Sequence, residues 1–125
     1  MKHQHFDVGI AGFYGAYWAC AGGSDCAVIA MIGDDPEDRL ARSAVKWLCG
    51  RGVNVLTMSP AKKDYGHHNY PLERVETAIS WLKANGNRKI GIAGASTTGT
   101  LALTAAAMFP DITLTIAMTP SDFVW

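Results

Sequence analysis

The stretch Lys89-Ile-Gly-Ile-Ala-Gly-Ala-Ser-Thr-Thr-Gly99 decides how this chain is read, because it turns from an apolar strand into a helix through a run of small residues. Residues 89–93 pattern as a short strand, and an almost wholly apolar helix follows over about 98–109, stopped by Pro110. A helix that is apolar all round is expected to be buried. The turn between them admits three functional readings. A phosphate loop requires G-x-x-x-x-G-K-[ST]. Gly94 and Gly99 have that spacing, but Thr100 stands where the lysine for the β- and γ-phosphates belongs. A dinucleotide fingerprint requires G-x-G-x-x-G, which the glycines at 91, 94 and 99 do not match. The third reading is a G-x-S-x-G elbow, in which a serine on a strained turn exposes its hydroxyl above a sheet. The residues two before and two after the serine must then be small, so that strand and helix can approach. Gly94 meets the first requirement, whereas Thr98 stands at the second position and Gly99 follows one place late. On this reading Ser96 is the candidate nucleophile, with Gly94, Thr98 and Gly99 as its elbow. The plain alternative is that Ser96 or Thr97 caps the helix.

Upstream, the sequence alternates between two periodicities. The run Cys26-Ala-Val-Ile-Ala-Met-Ile32, closed by Gly33, reads as a strand buried on both faces. Asp35 then offers an N-cap, Pro36 a first helical residue, and Glu37 and Asp38 carboxylates for the first turn. The expected apolar face of that helix joins Leu40, Ala44 and Leu48 to Ala41, Val45 and Cys49, and Gly50-Arg51-Gly52 ends it. A second strand is expected over 53–58, stopped by Ser59-Pro60. A polar loop over 61–70 follows, then a helix opened by Pro71 with Leu72, Val75, Ile79 and Leu82 on one face. Downstream, Ile112, Leu114, Ile116 and Met118 alternate with Thr113, Thr115 and Ala117 as a fourth strand. This β-α-β-α-β-α-β order predicts an α/β fold: a three-layer αβα sandwich with a mostly parallel sheet, right-handed crossovers and helices on both faces. Its chemistry is expected beyond the carboxyl ends of the strands. Phe13-Tyr-Gly-Ala-Tyr-Trp18 reads as an antiparallel edge strand.

Two further strand ends carry candidate residues. If Ser96 is a nucleophile, an oxyanion hole needs backbone N–H groups from Thr97, just after it, and from Asp34, in the loop after the first buried strand. The carboxylates of Asp34 and Asp35 are expected to turn toward the following helix N-terminus as caps rather than to form a metal site. Asp64-Tyr-Gly-His-His-Asn-Tyr70 reads as a solvated loop with a capping Asn69, or else as a substrate-contacting one through His67 and His68. His3 and His5 have same-face strand spacing but are expected to lie in a fraying terminus.

The 125 residues carry eleven basic and eleven acidic side chains and are 49% hydrophobic, which excludes disorder and the electrostatic footprint of a nucleic-acid or anionic-membrane binder. No stretch approaches the ~20 apolar residues of a membrane span, and the first residues lack the apolar core of a signal peptide. Cys20, Cys26 and Cys49 form no C-x-x-C pair and read as reduced thiols, with neither disulfide nor zinc indicated. A soluble, cytoplasmic protein without cofactor is expected.

Residues 26–125 resemble the front half of an α/β-hydrolase. The particular likeness is to the C-terminal domain family of acyl-CoA thioester hydrolases and bile-acid-CoA:amino-acid N-acyltransferases. The likeness rests on residues 26–35, on 89–99 and on Phe109-Pro-Asp-Ile-Thr-Leu-Thr-Ile-Ala-Met-Thr-Pro-Ser121, since members carry a G-x-[SC]-x-G-G elbow and often a similar F-P-D-I stretch. It implies that Ser96 attacks a small-molecule acyl ester or thioester; Thr98 departs from the family glycine. In this fold the acid and then the histidine follow the nucleophile. Here His3, His5, His67 and His68 all precede Ser96, and Asp122 is the candidate acid. The expectation is one partial domain over 1–125, the nucleophile-containing half, weakly active or inactive alone. The alternative is a non-catalytic module that associates, with itself or a partner, through an exposed sheet edge at 112–118.

Overall fold

The computed structural model describes residues 3–7, 11–33, 35–58, 72–95 and 97–118, the side chains of 97, 100 and 118 excepted. Among the described residues, six strands and three helices follow in chain order: β1 (His3–Phe6), β2 (Gly15–Trp18), β3 (Cys26–Met31), α1 (Arg39–Cys49), β4 (Asn54–Met58), α2 (Glu73–Ala84), β5 (Lys89–Ala95), α3 (Thr97–Met108) and β6 (Ile112–Met118). They form one sheet in the order β1-β2-β4-β3-β5-β6. The pairs β4/β3, β3/β5 and β5/β6 are parallel, while β1/β2 and β2/β4 are antiparallel.

The order reverses direction at β3. The chain steps from β3 to β4 on one side, then passes back over β3 to reach β5 and β6 on the other. Right-handed crossovers then require α1 on one face and α2 and α3 on the opposite face. The core divides accordingly. Val45 and Leu48 of α1 pack with Ala16, Trp18, Val28, Ala30, Val55 and Ala93. Val75, Ile79 and Leu82 of α2 and Leu101, Ala102 and Ala105 of α3 pack with Ala27, Ile29, Leu56 and Ile92. Alternate residues of β3 thus enter opposite cores, which is why its sequence is apolar throughout rather than every second residue.

Several expectations are corrected. His3 and His5 do not lie in a frayed end; they belong to a strand paired to β2, with His3 opposite Trp18 and His5 opposite Ala16. The strand read at 13–18 is therefore internal, because β1 covers its outer side. Helix α1 begins at Arg39 with Asp38 as its N-cap, so Asp35, Pro36 and Glu37 form a turn ahead of it. Its buried residues are Ala41, Val45 and Leu48, and Leu40 is 60% exposed, because the stripe facing the sheet lies one residue further round. Helix α3 is apolar all round yet buried on one side only: Leu103 and Met108 stay exposed, since a helix in an outer layer meets the sheet along a single stripe. In β6 the even residues do not share one face. The register slips after Ile90/Ile112, leaving Thr113 as the extra residue of a bulge. Ile112 enters the α2/α3 core, while Ile116 packs on the α1 side.

Candidate functional site

The joint between β5 and α3 is built by close approach. A Cβ on Gly94 would collide with the backbone carbonyl of Thr98 and lie 2.9 Å from the nitrogen of Gly99, so only glycine fits there. The expected second small residue is not required in the form the motif suggests. The approach is made against the backbone of Thr98, and its side chain, 5% exposed, folds back onto the strand end. Its hydroxyl accepts from Ala95 N at 2.9 Å and donates to Ala95 O at 2.8 Å. Thr98 thereby ties the first turn of the helix to the end of the strand, and Gly99 is buried within α3. Thr97 opens α3, so its N–H is among the four that the helix's own carbonyls cannot satisfy, in a position suited to an anion. Ser96, which this joint brackets, lies outside the described residues.

The segment after β3 is held from several sides. Gly33 has φ +97° and backs onto the Asp38 carboxylate, where a Cβ would collide. That carboxylate accepts from Ala41 N at 2.8 Å and Asp35 N at 3.1 Å. Asp35 accepts from Glu37 N at 3.0 Å and from the Tyr14 hydroxyl at 3.1 Å. Its carboxylate therefore serves the turn ahead of the helix, and the cap itself belongs to Asp38. The buried Thr57 hydroxyl donates to Pro36 O at 2.6 Å and accepts from Trp18 Nε1 at 3.2 Å. Burial first, then the hydrogen bond and charge of Asp35 and the charges of Asp7 and Glu37, push the Tyr14 phenol up. Asp34 lies outside the described residues, as do Asp122 and the loop carrying His67 and His68.

The sheet brings these two segments together. Met31 pairs with Gly94 at the last register position of β3/β5, so the chain leaves both strands side by side. This is the point at which the strand order reverses, where open α/β sheets form their crevice. Sequence reasoning found both loops but missed the supports of the segment after β3: Thr57, Tyr14 and the histidines of β1 act across 21 to 34 residues of chain. Only the alternate spacing of His3 and His5 was visible. Among the described residues, no group of three or more His, Cys, Asp or Glu side chains is arranged to hold a metal ion. The thiol of Cys49 is pushed up by burial and by neighbouring Cys20, away from the reactive thiolate.

No protein-family model and no curated protein matches the chain. Solved structures do. An esterase of Pyrococcus furiosus superposes with a TM-score of 0.73 at 20% identity, over 95% of this chain and 49% of its own. Est1E of Butyrivibrio proteoclasticus gives 0.71 at 21% identity, over 96% and 51%. An alpha/beta hydrolase enzyme from a Medee basin deep-sea metagenome library gives 0.60 at 21% identity, over 81% and 49%. The chain therefore has an α/β-hydrolase fold and spans about half the length of these solved relatives.

Proposed function

We propose that this chain is the nucleophile-bearing half of an ester hydrolase, with Ser96 as nucleophile and the backbone N–H groups of Thr97 and Asp34 as its oxyanion hole. The observation that carries this reading is the β5–α3 joint, where Gly94 is packed onto the Thr98 carbonyl at the carboxyl end of the strand beside β3. An elbow of this kind needs that approach, and a mere helix cap does not. Ser96 Oγ bonds to the acyl carbon and its proton passes to solvent. The carbonyl oxygen takes up the negative charge facing the N–H groups, and collapse expels the alcohol or thiol, which solvent protonates. Water then hydrolyses the acyl-serine. Substrates are small acyl esters, as the names of the solved neighbours suggest, or acyl thioesters, as the resemblance of residues 89–99 and 109–121 implies; no cofactor is needed. A cytoplasmic setting belongs to this reading and accords with three unpaired thiols. Among the described residues no helix is long and apolar enough to cross a membrane.

No histidine follows Ser96 in this sequence, and Asp122 alone stands as a candidate acid. Without a general base a serine hydroxyl is a poor nucleophile, so turnover by this chain is slow, several orders of magnitude below that of a complete triad. Hydrolysis of p-nitrophenyl acetate and of an acetyl thioester is measured for wild type and Ser96→Ala. A slow rate that disappears in the variant is expected, and equal rates overturn the assignment.

A second reading, a non-catalytic module, is favoured by one feature. Among the described residues strand β6 is a parallel edge, and Leu40 and Trp47 of α1 and Leu114 of β6 itself are 60, 53 and 57% exposed. Together with Ile32, Ala93 and Ile116, the first two line an apolar concavity on the α1 face. Such a surface associates.

A further inference from the structure

We propose that His3 and His5, acting through Glu37, are positioning residues that clasp residues 35–37, in the segment that follows β3 beside the β5–α3 joint. The consequence for reactivity rests on the hydrolase reading; the clasp itself does not. The carboxylate of Glu37 is shared between two rings of one strand. His3 Nε2 meets Oε1 at 2.6 Å and His5 Nδ1 meets Oε2 at 2.7 Å, both at the short end of nitrogen–oxygen hydrogen bonds. The period-two spacing of β1 places both rings on one face, and its pairing to β2 sets them opposite Trp18 and Ala16.

Each contact closes a ring that returns to the segment it starts from. The His3 ring stacks on Trp18 with centroids 4.1 Å apart and planes 18° from parallel. Trp18 donates to the Thr57 hydroxyl, which in turn donates to the carbonyl of Pro36, the residue before Glu37. The His5 ring meets Tyr14 edge-on at 5.3 Å, and Tyr14 donates to Asp35, two residues before Glu37. Arg42 completes the fastening from α1, donating from Nε to the Glu37 carbonyl at 2.8 Å while its guanidinium lies over Trp18 at 5.2 Å. Residues 35–37 are thus held from β1, from β4, from the approach to β2 and from α1. Through these side chains a strand at the far edge of the sheet reaches the loop at the reversal of strand order.

The test compares wild type with His3→Ala/His5→Ala, Glu37→Ala and Glu37→Gln in the full chain. Amide exchange is read at residues 33, 35, 37 and 38, with β3 and β5 as internal controls. The labelling of Ser96 by a serine-directed phosphonate is resolved into its affinity and its maximal rate. Each hydrogen bond lost corresponds to roughly a tenfold change. The double histidine variant and Glu37→Ala are expected to speed exchange in the segment about tenfold while the strands stay protected. The maximal labelling rate is expected to fall about as much with affinity unchanged, as for a loosened oxyanion donor. Glu37→Gln, which keeps one acceptor, falls in between. Unchanged exchange in the segment overturns the clasp, and faster exchange with an unchanged labelling rate overturns its positioning role. Absence of labelling in wild type overturns the hydrolase reading, and with it the consequence for reactivity, while exchange still decides the clasp.

Discussion

A glycine and an asparagine at opposite ends of the sheet illustrate what individual residues contribute. Gly94 has no space for a Cβ because the Thr98 carbonyl occupies it, so Gly94→Ala must open the strand–helix joint. Overpacking of this sort costs about 1–3 kcal/mol or more. A lowered melting temperature is expected together with loss of phosphonate labelling. Asn54, 4% exposed at the start of β4, accepts from Cys20 N at 2.9 Å and donates to Ser24 O at 3.0 Å and Asn87 Oδ1 at 2.9 Å. Asn87 in turn donates to Tyr17 Oη and Leu82 O. Asn54→Ala strands these buried partners and is expected to cost about 1–3 kcal/mol in thermal melts. It lies at the amino ends of the parallel strands, so labelling of the folded variant stays at the wild-type rate. Gly94 was legible in the sequence because the motif demands a small residue there. Asn54 was not, since its partners lie 30 to 34 residues away and its position reads as an ordinary strand start.

The N-terminal hairpin and α1 carry the lesson at the level of elements. Strands β3, β4, β5 and β6 and the three described helices followed from local patterns: burial on both faces, amphipathic stripes and, for α3, an apolar run. Strand β1 did not, because four residues reading His-Gln-His-Phe have no apolar alternation and become a strand only by pairing with β2. The start of α1 was misplaced for a related reason. Three carboxylates stand within four residues, and only the fold decides that Asp38 caps the helix while Asp35 closes the turn and Glu37 takes the histidines. Glu37 also gives this element a pH signature. Burial would raise its carboxyl, but the hydrogen bonds and charge of His3 and His5 outweigh this and hold it below the ordinary carboxylate range. A depressed carboxylate stabilises the fold above its unfolded-state value, and that contribution is lost as pH falls through the lower folded value. The melting-temperature advantage of wild type over Glu37→Gln is therefore expected to be full at pH 6 and to shrink below about pH 4.5. An advantage that grows on acidification would contradict the pairing.

At the scale of the whole molecule, the sheet is covered unevenly. Among the described residues α2 and α3 cover one face of the sheet, whereas on the other face α1 leaves Ile116 and Leu114 of the edge strand β6 partly exposed. The sequence announced β6 as an apolar strand, yet not its bulge, which turns Leu114 toward the open face and is a product of pairing with β5. This surface is expected to drive association that sharpens with concentration in sedimentation velocity. Leu114→Glu, which leaves both cores intact, should restore a monomer, whereas a wild-type monomer at high concentration counts against the second reading. The sequence likewise located the reactive turn, because its small residues are local, but not the closed rings of contacts that hold the loop beside it. The most direct measurement is the intact mass and peptide map of the chain after treatment with a serine-directed fluorophosphonate. One adduct per chain, located on Ser96 and absent in Ser96→Ala, is the expected result. An unmodified wild type, or equal modification of both proteins, would contradict the assignment of Ser96 as a reactive nucleophile.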